Sequence, residues 1–434
     1  MEQFLAIVLL MGIVNLPSIE MYWTKKILFN VPVFNLLMTR NRFQMILKFL
    51  HLHDNNNLPD RNDPNYDRLY KIRPVIDHLF EKFQTVYEPR KDVCVDEILL
   101  LWKGWLLFWQ YIPLKRARFG IKIYLCCESD GGNKGSSGYC YRFKVYAGKD
   151  DPVNEIRPVI PDDALHLSTS EQMVVFPIAP LLDKGYHVYT DNWYTSLRPY
   201  LYLIEKQTLS CGTIRANRTT QLTEQAVDRT GDSCALLGDD KIVATKYHST
   251  KVVYLLSTNH EHDEVTVNNR WRTGTKNVQR YRQNTTEIWG VSTSRIRLSN
   301  RTTVLKSMKW TKKLFFHFLQ VSACNAFILA CKNGYDKPFL QFLESVIMSW
   351  AYQDKRPPIV SEPEDIVRLQ DRHFLEVIPP NEGKERPTRL CKVCSKKGIK
   401  RREVRYYCPD CPSKPALCLS PCFRAYHTNF VYWE

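Results

Sequence analysis

The chain has 434 residues, 44% of them apolar, and its 61 Lys and Arg outnumber 45 Asp and Glu for a net charge of +16. That much apolar material can bury a large core in two or three domains and excludes a low-complexity chain, while the basic balance suits a phosphate-bearing partner. The 14 cysteines, with no secretory signal ahead of them, indicate reduced thiols and metal sites rather than disulfides.

Residues 1 to 75 read as helical, with apolar repeats in FLAIVLLMGIV and FQMILKFLHLH before the polar break DNNNLPDRNDPN. The run Phe4 to Val14 follows Glu2 instead of a positive region and is too short to span a bilayer, so it is expected to be a buried helix and no membrane partner is expected. Asp96 follows the strand-like Val93, Cys94 and Val95, and on its own reads as an ordinary residue at a strand end. The segments IKIYLCC and YCYRFKVYAG suit central strands of a mixed sheet.

Asp191, in HVYTDNWYTS, precedes the helical LRPYLYLIEKQ, where the plain alternative is a helix-capping residue. Residues 229 to 280 form a more polar block containing the strand-like KVVYLLST. Lys306, Lys309, Trp310, Lys312 and Lys313 then lead into the helix LFFHFLQVSACNAFILACK; these lysines either touch phosphate or form a solvated helix face. Asn217, Asn284 and Asn300 begin glycosylation-type triplets, which read as chance matches in the absence of a secretory route.

After Gln353 the run DKRPPIVSEPED signals a linker, expected over 354–386, and 387–434 is a separate cysteine-rich module. Cys391 and Cys394 make one C-x2-C knuckle and Cys408 and Cys411 a second, followed by Cys418, Cys422 and His427, which is zinc-site spacing. Two tetrahedral sites need eight ligands and this stretch supplies seven, with His373 available as an eighth. A module this short builds little core, so bound Zn²⁺ is expected to supply its folding energy. From Asn381 onward there are 12 Lys and Arg against 5 Asp and Glu. The run containing Lys396, Lys397, Lys400, Arg401 and Arg402 binds DNA, serves as a nuclear import signal, or is a solvated loop.

Four segments carry a family resemblance in order: QYIPLKRARFGIKIYLC from Gln110, GYCYRFKVYAGK at 138–149, KGYHVYTDNWYTSLRPYLYLIEKQTLSCGTIRANR at 184–218, and KWTKKLFFHFLQVSACNAFIL at 309–329. Together with the cysteine-rich tail they resemble the piggyBac transposase family. The resemblance implies an α/β fold: an RNase H-like mixed sheet with flanking helices (76–228 and 281–353), a helical N-terminal region (1–75), an insertion domain (229–280) and the small zinc-binding module. It also implies homodimers and an N-terminal part concerned with dimerisation and DNA binding. The acidic leader usual in the family is not seen ahead of residue 1, so the chain is expected to begin within the folded part. Carried over by residue, the first two catalytic aspartates fall on Asp96 and Asp191. The third falls on Ser292, in Trp289-Gly290-Val291-Ser292, when the family spacing is counted back from Lys309-Trp310. Arg295 stands where a further aspartate is usual, Trp105 where the family has Lys-Gly-Arg, and Leu305 where an arginine begins the basic run. In the family's cross-brace arrangement Cys391, Cys394, Cys418 and Cys422 share one ion, and Cys408, Cys411 and His427 the other.

A divalent cation takes hard anionic oxygen ligands, and phosphodiester cleavage of this type holds two Mg²⁺ between carboxylates. Serine offers a neutral oxygen, and arginine a cation that stays charged. At about 5 Å and an effective dielectric of about 20, one unit-charge pair repels by roughly 3 kcal/mol, and a divalent ion feels about twice that. Glu287, five residues before Ser292, is the one candidate substitute ligand, although that spacing on a strand or helix entrance would place it on a different face. The expectation is therefore a nuclear, transposase-derived DNA-binding protein that has lost strand cleavage, with Mg²⁺ relevant only if cleavage persists. The alternatives are a working cut-and-paste transposase and a zinc-module adaptor for chromatin or other proteins.

Overall fold

The computed structural model describes residues 1–63, 66–113, 115, 117–129, 137–148, 160–218, 233–237, 242–248, 251–259, 264–268, 275–279, 309–352, 368, 373–381, 383–398, 401–429 and 431–433. The chain forms two compact units, Met1–Gln353 and Asp354–Glu434.

The helices of the first unit are α1 (Glu2–Ile13), α2 (Pro32–Leu37), α3 (Arg40–Phe49), α4 (Arg73–Val86), α5 (Thr169–Ile178), α6 (Leu197–Glu205), α7 (Trp310–Lys332) and α8 (Phe339–Tyr352). The expected helical N-terminal region is present. Its apolar run forms α1, in which Phe4, Ala6, Ile7, Val8, Leu9 and Met11 are buried against Trp23, Phe34, Phe43 and, from α8, Ile347 and Ala351. A helix apolar on every side has no face to give to water, so it must be surrounded.

The strands of the main sheet are β1 (Asp92–Leu101), β2 (Gln110–Tyr111), β3 (Phe119–Glu128), β4 (Cys140–Val145), β5 (His187–Thr190), β6 (Leu209–Ile214), β7 (Ser233–Leu237), β8 (Val243–His248) and β9 (Val252–Ser257). Their spatial order is β4-β3-β1-β5-β6-β9-β8-β7, with β2 also pairing β3. β3 is antiparallel to β1 and β4, whereas β5 runs parallel to both β1 and β6. The segment expected as an insertion gives β7, β8 and β9, which join this sheet through the β6–β9 pairing, and the separate hairpin β10 (Glu264–Asn268) with β11 (Thr275–Gln279).

Both sheet faces are covered, which is why β1 and β3 read as nearly continuous apolar runs. Val93 and Val95 face a core made with α5 and α6, including Val174, Phe176, Tyr200 and Leu203. Ile98, Leu100, Ile121, Ile123 and Leu125 face Ile76 and Phe83 of α4 and Leu314, Phe318 and Val321 of α7. α7 is long and apolar enough to cross a membrane by length and composition, yet half of its most apolar stretch is buried within the fold. It is tied there by polar contacts as well: Asn325 accepts from the Cys140 N–H at 2.8 Å and donates to the Cys140 carbonyl at 2.9 Å.

The end of β5 is set by close packing. A Cβ at Gly212 of β6 would lie 2.4 Å from both the Thr190 carbonyl oxygen and Thr195 Oγ1. Thr190 Oγ1 in turn shares hydrogen bonds of 2.8 Å with Thr195 Oγ1 and with Tyr200 Oη. Glycine at 212 thus lets β6 approach the hydroxyl cluster that holds the turn after β5. Gly212→Ala is expected to destabilise the first unit by about 1–3 kcal/mol, because the neighbouring atom is backbone and cannot move aside. Thermal unfolding of wild type and variant checks this.

Candidate active site and metal centres

Parallel pairing of Asp92–Val95 with His187–Thr190 brings Asp96, midway along β1, beside Asp191 at the end of β5. Asp96 follows the last paired residue of β1, and Asp191 follows the last residue of β5. Beyond Val95, β1 keeps β3 on one side but has lost β5 on the other. Successive side chains on a strand point to opposite faces. Here they meet across the open strand end, and carboxylate oxygens of Asp96, Glu97 and Asp191 lie within 4.8 Å of one another. Glu97 is therefore a third carboxylate in the site, which the reading of the sequence missed. Its one signal in the sequence is adjacency to Asp96.

The site is not a set of free anions. Glu97 Oε1 pairs with Lys115 Nζ at 2.8 Å, and Glu97 Oε2 accepts from the Tyr194 hydroxyl at 2.6 Å. Lys115 Nζ also donates to the Glu97 carbonyl at 3.2 Å. Asp96 Oδ1 accepts from the Glu97 N–H at 2.7 Å, and Asp191 Oδ1 from the Trp193 N–H at 2.9 Å. A second ammonium, Lys122, is buried close by, its Nζ 4.5 Å from the Tyr124 ring centroid and 5.1 Å from that of Trp193. Burial pushes the Asp96 carboxyl up to about 7; Lys115 opposes the rise and Glu97 adds to it. Asp191 is raised for the same first reason, with Glu97 again contributing. Burial lowers Lys122, against the pull of Glu97.

Among the described residues, three carboxylates and two ammonium groups share the pocket, and both Glu97 oxygens have partners. Lys115 and Tyr194 would have to yield for Glu97 to give both oxygens to a cation. Ser292 and Arg295, with Glu287, Leu305 and Lys306, lie outside the described residues.

The basic residues divide. Lys309 is exposed at the start of α7, but Lys312 is buried, and its ammonium donates to the carbonyls of Leu47 and Lys48 at the end of α3. Its expected phosphate contact is corrected accordingly: the helical spacing of Lys309, Lys312 and Lys313 does not distinguish the face that packs on α3. Lys313 is half-buried, and burial lowers it. Lys396, Lys397, Arg401 and Arg402 are exposed, and Lys400 lies outside the described residues.

In the second unit Cys391, Cys394, Cys418 and Cys422 form one group and His373, Cys408, Cys411 and His427 another, with each group's ligand atoms within 4.8 Å. Metal–sulfur bonds of about 2.3 Å and metal–nitrogen bonds of about 2.0 Å put tetrahedral ligands about 3.8 Å (S to S) and about 3.5 Å (S to N) apart. Cys394 Sγ is 3.8 Å from Cys418 Sγ and 3.5 Å from Cys422 Sγ. His373 Nδ1 is 3.5 Å from Cys408 Sγ and 3.6 Å from Cys411 Sγ, and His427 Nε2 is 3.4 Å from Cys411 Sγ. These are the edges of two tetrahedra, so the donor sets fit zinc.

Supporting contacts match. His427 Nδ1 faces the Phe423 carbonyl at 2.8 Å, which leaves Nε2 as the ligand atom, and burial lowers this histidine toward the neutral form a metal requires. Burial opposes ionisation of Cys391, but N–H groups of Cys394 and Cys418 outweigh it and lower the thiol. His373 completes the second group. It comes from the segment 354–386 expected as a linker, which also supplies a short strand, Glu376–Val377, pairing Tyr406–Tyr407. Buried Arg368 bonds the carbonyls of Tyr426 and Asn429. Polar, proline-rich composition disguised the contacts that Arg368 and residues 373–381 make with the module.

A family model described as Transposase IS4 matches residues 1–327, and a second, the DDE_Tnp_1-like zinc finger, matches 372–428. The chain belongs to the piggyBac-type transposase family. It is 28% identical over 212 residues to the PiggyBac transposable element-derived protein 3 of Homo sapiens, covering 49% of this chain and 33% of that protein. Identity to the human PiggyBac transposable element-derived protein 2 is 25% over 262 residues, 58% of this chain and 41% of that protein. The chain thus spans less than half the length of these curated relatives. The fold is that of a cryo-EM structure of a piggyBac transposase synaptic complex with hairpin DNA, at TM-score 0.70 and 18% identity, covering 94% of this chain and 87% of that one.

Within the piggyBac-type frame, the raised carboxyl of Asp96 carries a sign that can be checked. An unfolded aspartate titrates near 4. Between about pH 4 and 7 the unfolded chain has released a proton that folded Asp96 keeps, so its contribution to stability falls as pH rises through that window and levels off above it. In magnesium-free buffer Asp96→Asn is expected to flatten this slope by on the order of a few kcal/mol, read from urea midpoints at pH 5 and 8. For the zinc groups, native mass spectrometry is expected to find two zinc ions per chain and one in Cys418→Ser, with chelation opening residues 372–428 to protease.

Proposed function

We propose that this piggyBac-type protein is a transposase derivative that binds DNA in the nucleus and does not cut it. The observation that carries the reading is the engagement of Glu97, whose two carboxylate oxygens are held by Lys115 and Tyr194. Ser292 and Arg295, at the family's remaining acidic positions, add no anion to the set. Mg²⁺, where bound, supplies Lewis-acid activation of the attacking oxygen, which is the chemistry this pocket is poorly charged to support.

DNA affinity in this reading comes from the net charge of +16 and from exposed Lys309, Lys396, Lys397, Arg401 and Arg402. The zinc module holds the last four in a folded frame and serves as a clamp on DNA or as a surface for chromatin proteins. The protein acts as a homodimer.

A second reading, a working cut-and-paste transposase, is favoured by one observation: Glu97 brings a third carboxylate within 4.8 Å of the aspartate pair. Excision of a plasmid-borne cassette flanked by cognate terminal repeats separates the two. Wild type is expected to give no excision above background, and Ser292→Asp with Arg295→Asp to raise it. Excision by wild type that Glu97→Gln abolishes would establish the second reading instead.

A further inference from the structure

Beyond Asp96 and Glu97, β1 runs out to a surface that neither the acidic pocket nor the zinc groups explain. Trp105 is 83% exposed, Trp109 42%, Tyr111 52% and Phe119 41%. Large apolar side chains exposed together in one place mark a binding surface.

Strand pairing fixes three of them as one layer. Tyr111 of β2 is directly opposite Phe119 of β3, and their rings stack with centroids 4.7 Å apart and planes 26° from parallel. Trp109, two residues before Tyr111, packs on the same Phe119 ring at 5.5 Å. Each ring still keeps about half its area open to solvent, so mutual contact holds the layer in place without covering it.

The segment that carries this layer has charges of one sign. Residues 101–119 contain Lys103, Lys115, Arg116 and Arg118 and no Asp or Glu. Lys103 and Arg118 are exposed. Lys115 reaches from this segment to Glu97 of the acidic pocket.

We propose that Trp109, Tyr111 and Phe119 form a stacking platform for unpaired nucleotides of a DNA strand, with Lys103 and Arg118 contacting its phosphates. The proposal rests on the DNA-binding reading above and specifies the kind of DNA. Any base can stack on an aromatic ring, and a single strand exposes its bases together with a regular array of anions. An apolar protein surface would use the rings but leave the cations without partners. Duplex DNA would use the cations, but its base faces are already stacked.

The test measures fluorescence anisotropy of labelled oligothymidylate and of a labelled duplex against the full-length, zinc-loaded protein at one fixed salt concentration. Trp109→Ala and Tyr111→Ala are each expected to weaken oligothymidylate binding by about tenfold and to leave duplex binding within about twofold. Trp109→Phe and Tyr111→Phe, which keep a ring, should retain most of the affinity. Unchanged oligothymidylate binding in both alanine variants, with duplex still bound, overturns the platform and leaves the DNA-binding reading standing. Failure of wild type to bind either DNA overturns both. Loss of a dimer in sedimentation, with oligothymidylate binding unchanged, would assign the rings to a contact between two copies and also overturn the proposal.

Discussion

The ion pair between Lys115 and Glu97 sets the charge of the pocket at the end of β5. Glu97 is almost wholly buried and Lys115 about one-third exposed, so the pair sits where removal of either partner leaves a poorly hydrated charge. The Tyr194 hydroxyl closes the other carboxylate oxygen. With Lys122 also near, two ammonium groups already do for three carboxylates much of what a divalent cation would do. A cation entering between the carboxylates competes with the Lys115 ammonium for Glu97, which weakens its binding relative to a pocket without that ammonium.

That pocket exists because of how the sheet ends. β5 stops at Thr190, where Gly212 lets β6 close on the Thr190–Thr195–Tyr200 hydroxyl cluster that holds the turn into Asp191. β1 continues past that point with one edge open, and only there can residues of opposite strand faces bring their carboxylates together. The apolar layers of α4 and α7 below and α5 and α6 above hold β1 rigidly enough for the geometry to persist.

Much of this was legible in the sequence. The apolar runs of β1 and β3 and the buried character of α1 follow from periodicity, and the pairing of Asp96 with Asp191 as site residues follows from the family resemblance. Cysteine spacing specified the zinc ligands down to a short eighth position, and His373 fills it. What escaped has a common cause, since it depends on where chains end or meet. Glu97 went unnoticed because only the fold brings it together with Asp96 and Asp191 beside the end of β5. Lys312 looked like one more cation on a basic helix, but α3, far away in sequence, covers it. The strands β7 to β9 looked like part of an insertion and extend the main sheet, because edge pairing with β6 leaves no trace in local composition.

Crystals soaked in manganese, with anomalous diffraction collected at the metal edge, test the central claim most directly. A pocket neutralised by Lys115 and Lys122 is expected to show no ordered manganese between Asp96, Glu97 and Asp191, with the Lys115–Glu97 contact intact. Two well-occupied anomalous peaks there, with Lys115 turned away from Glu97, would contradict the account.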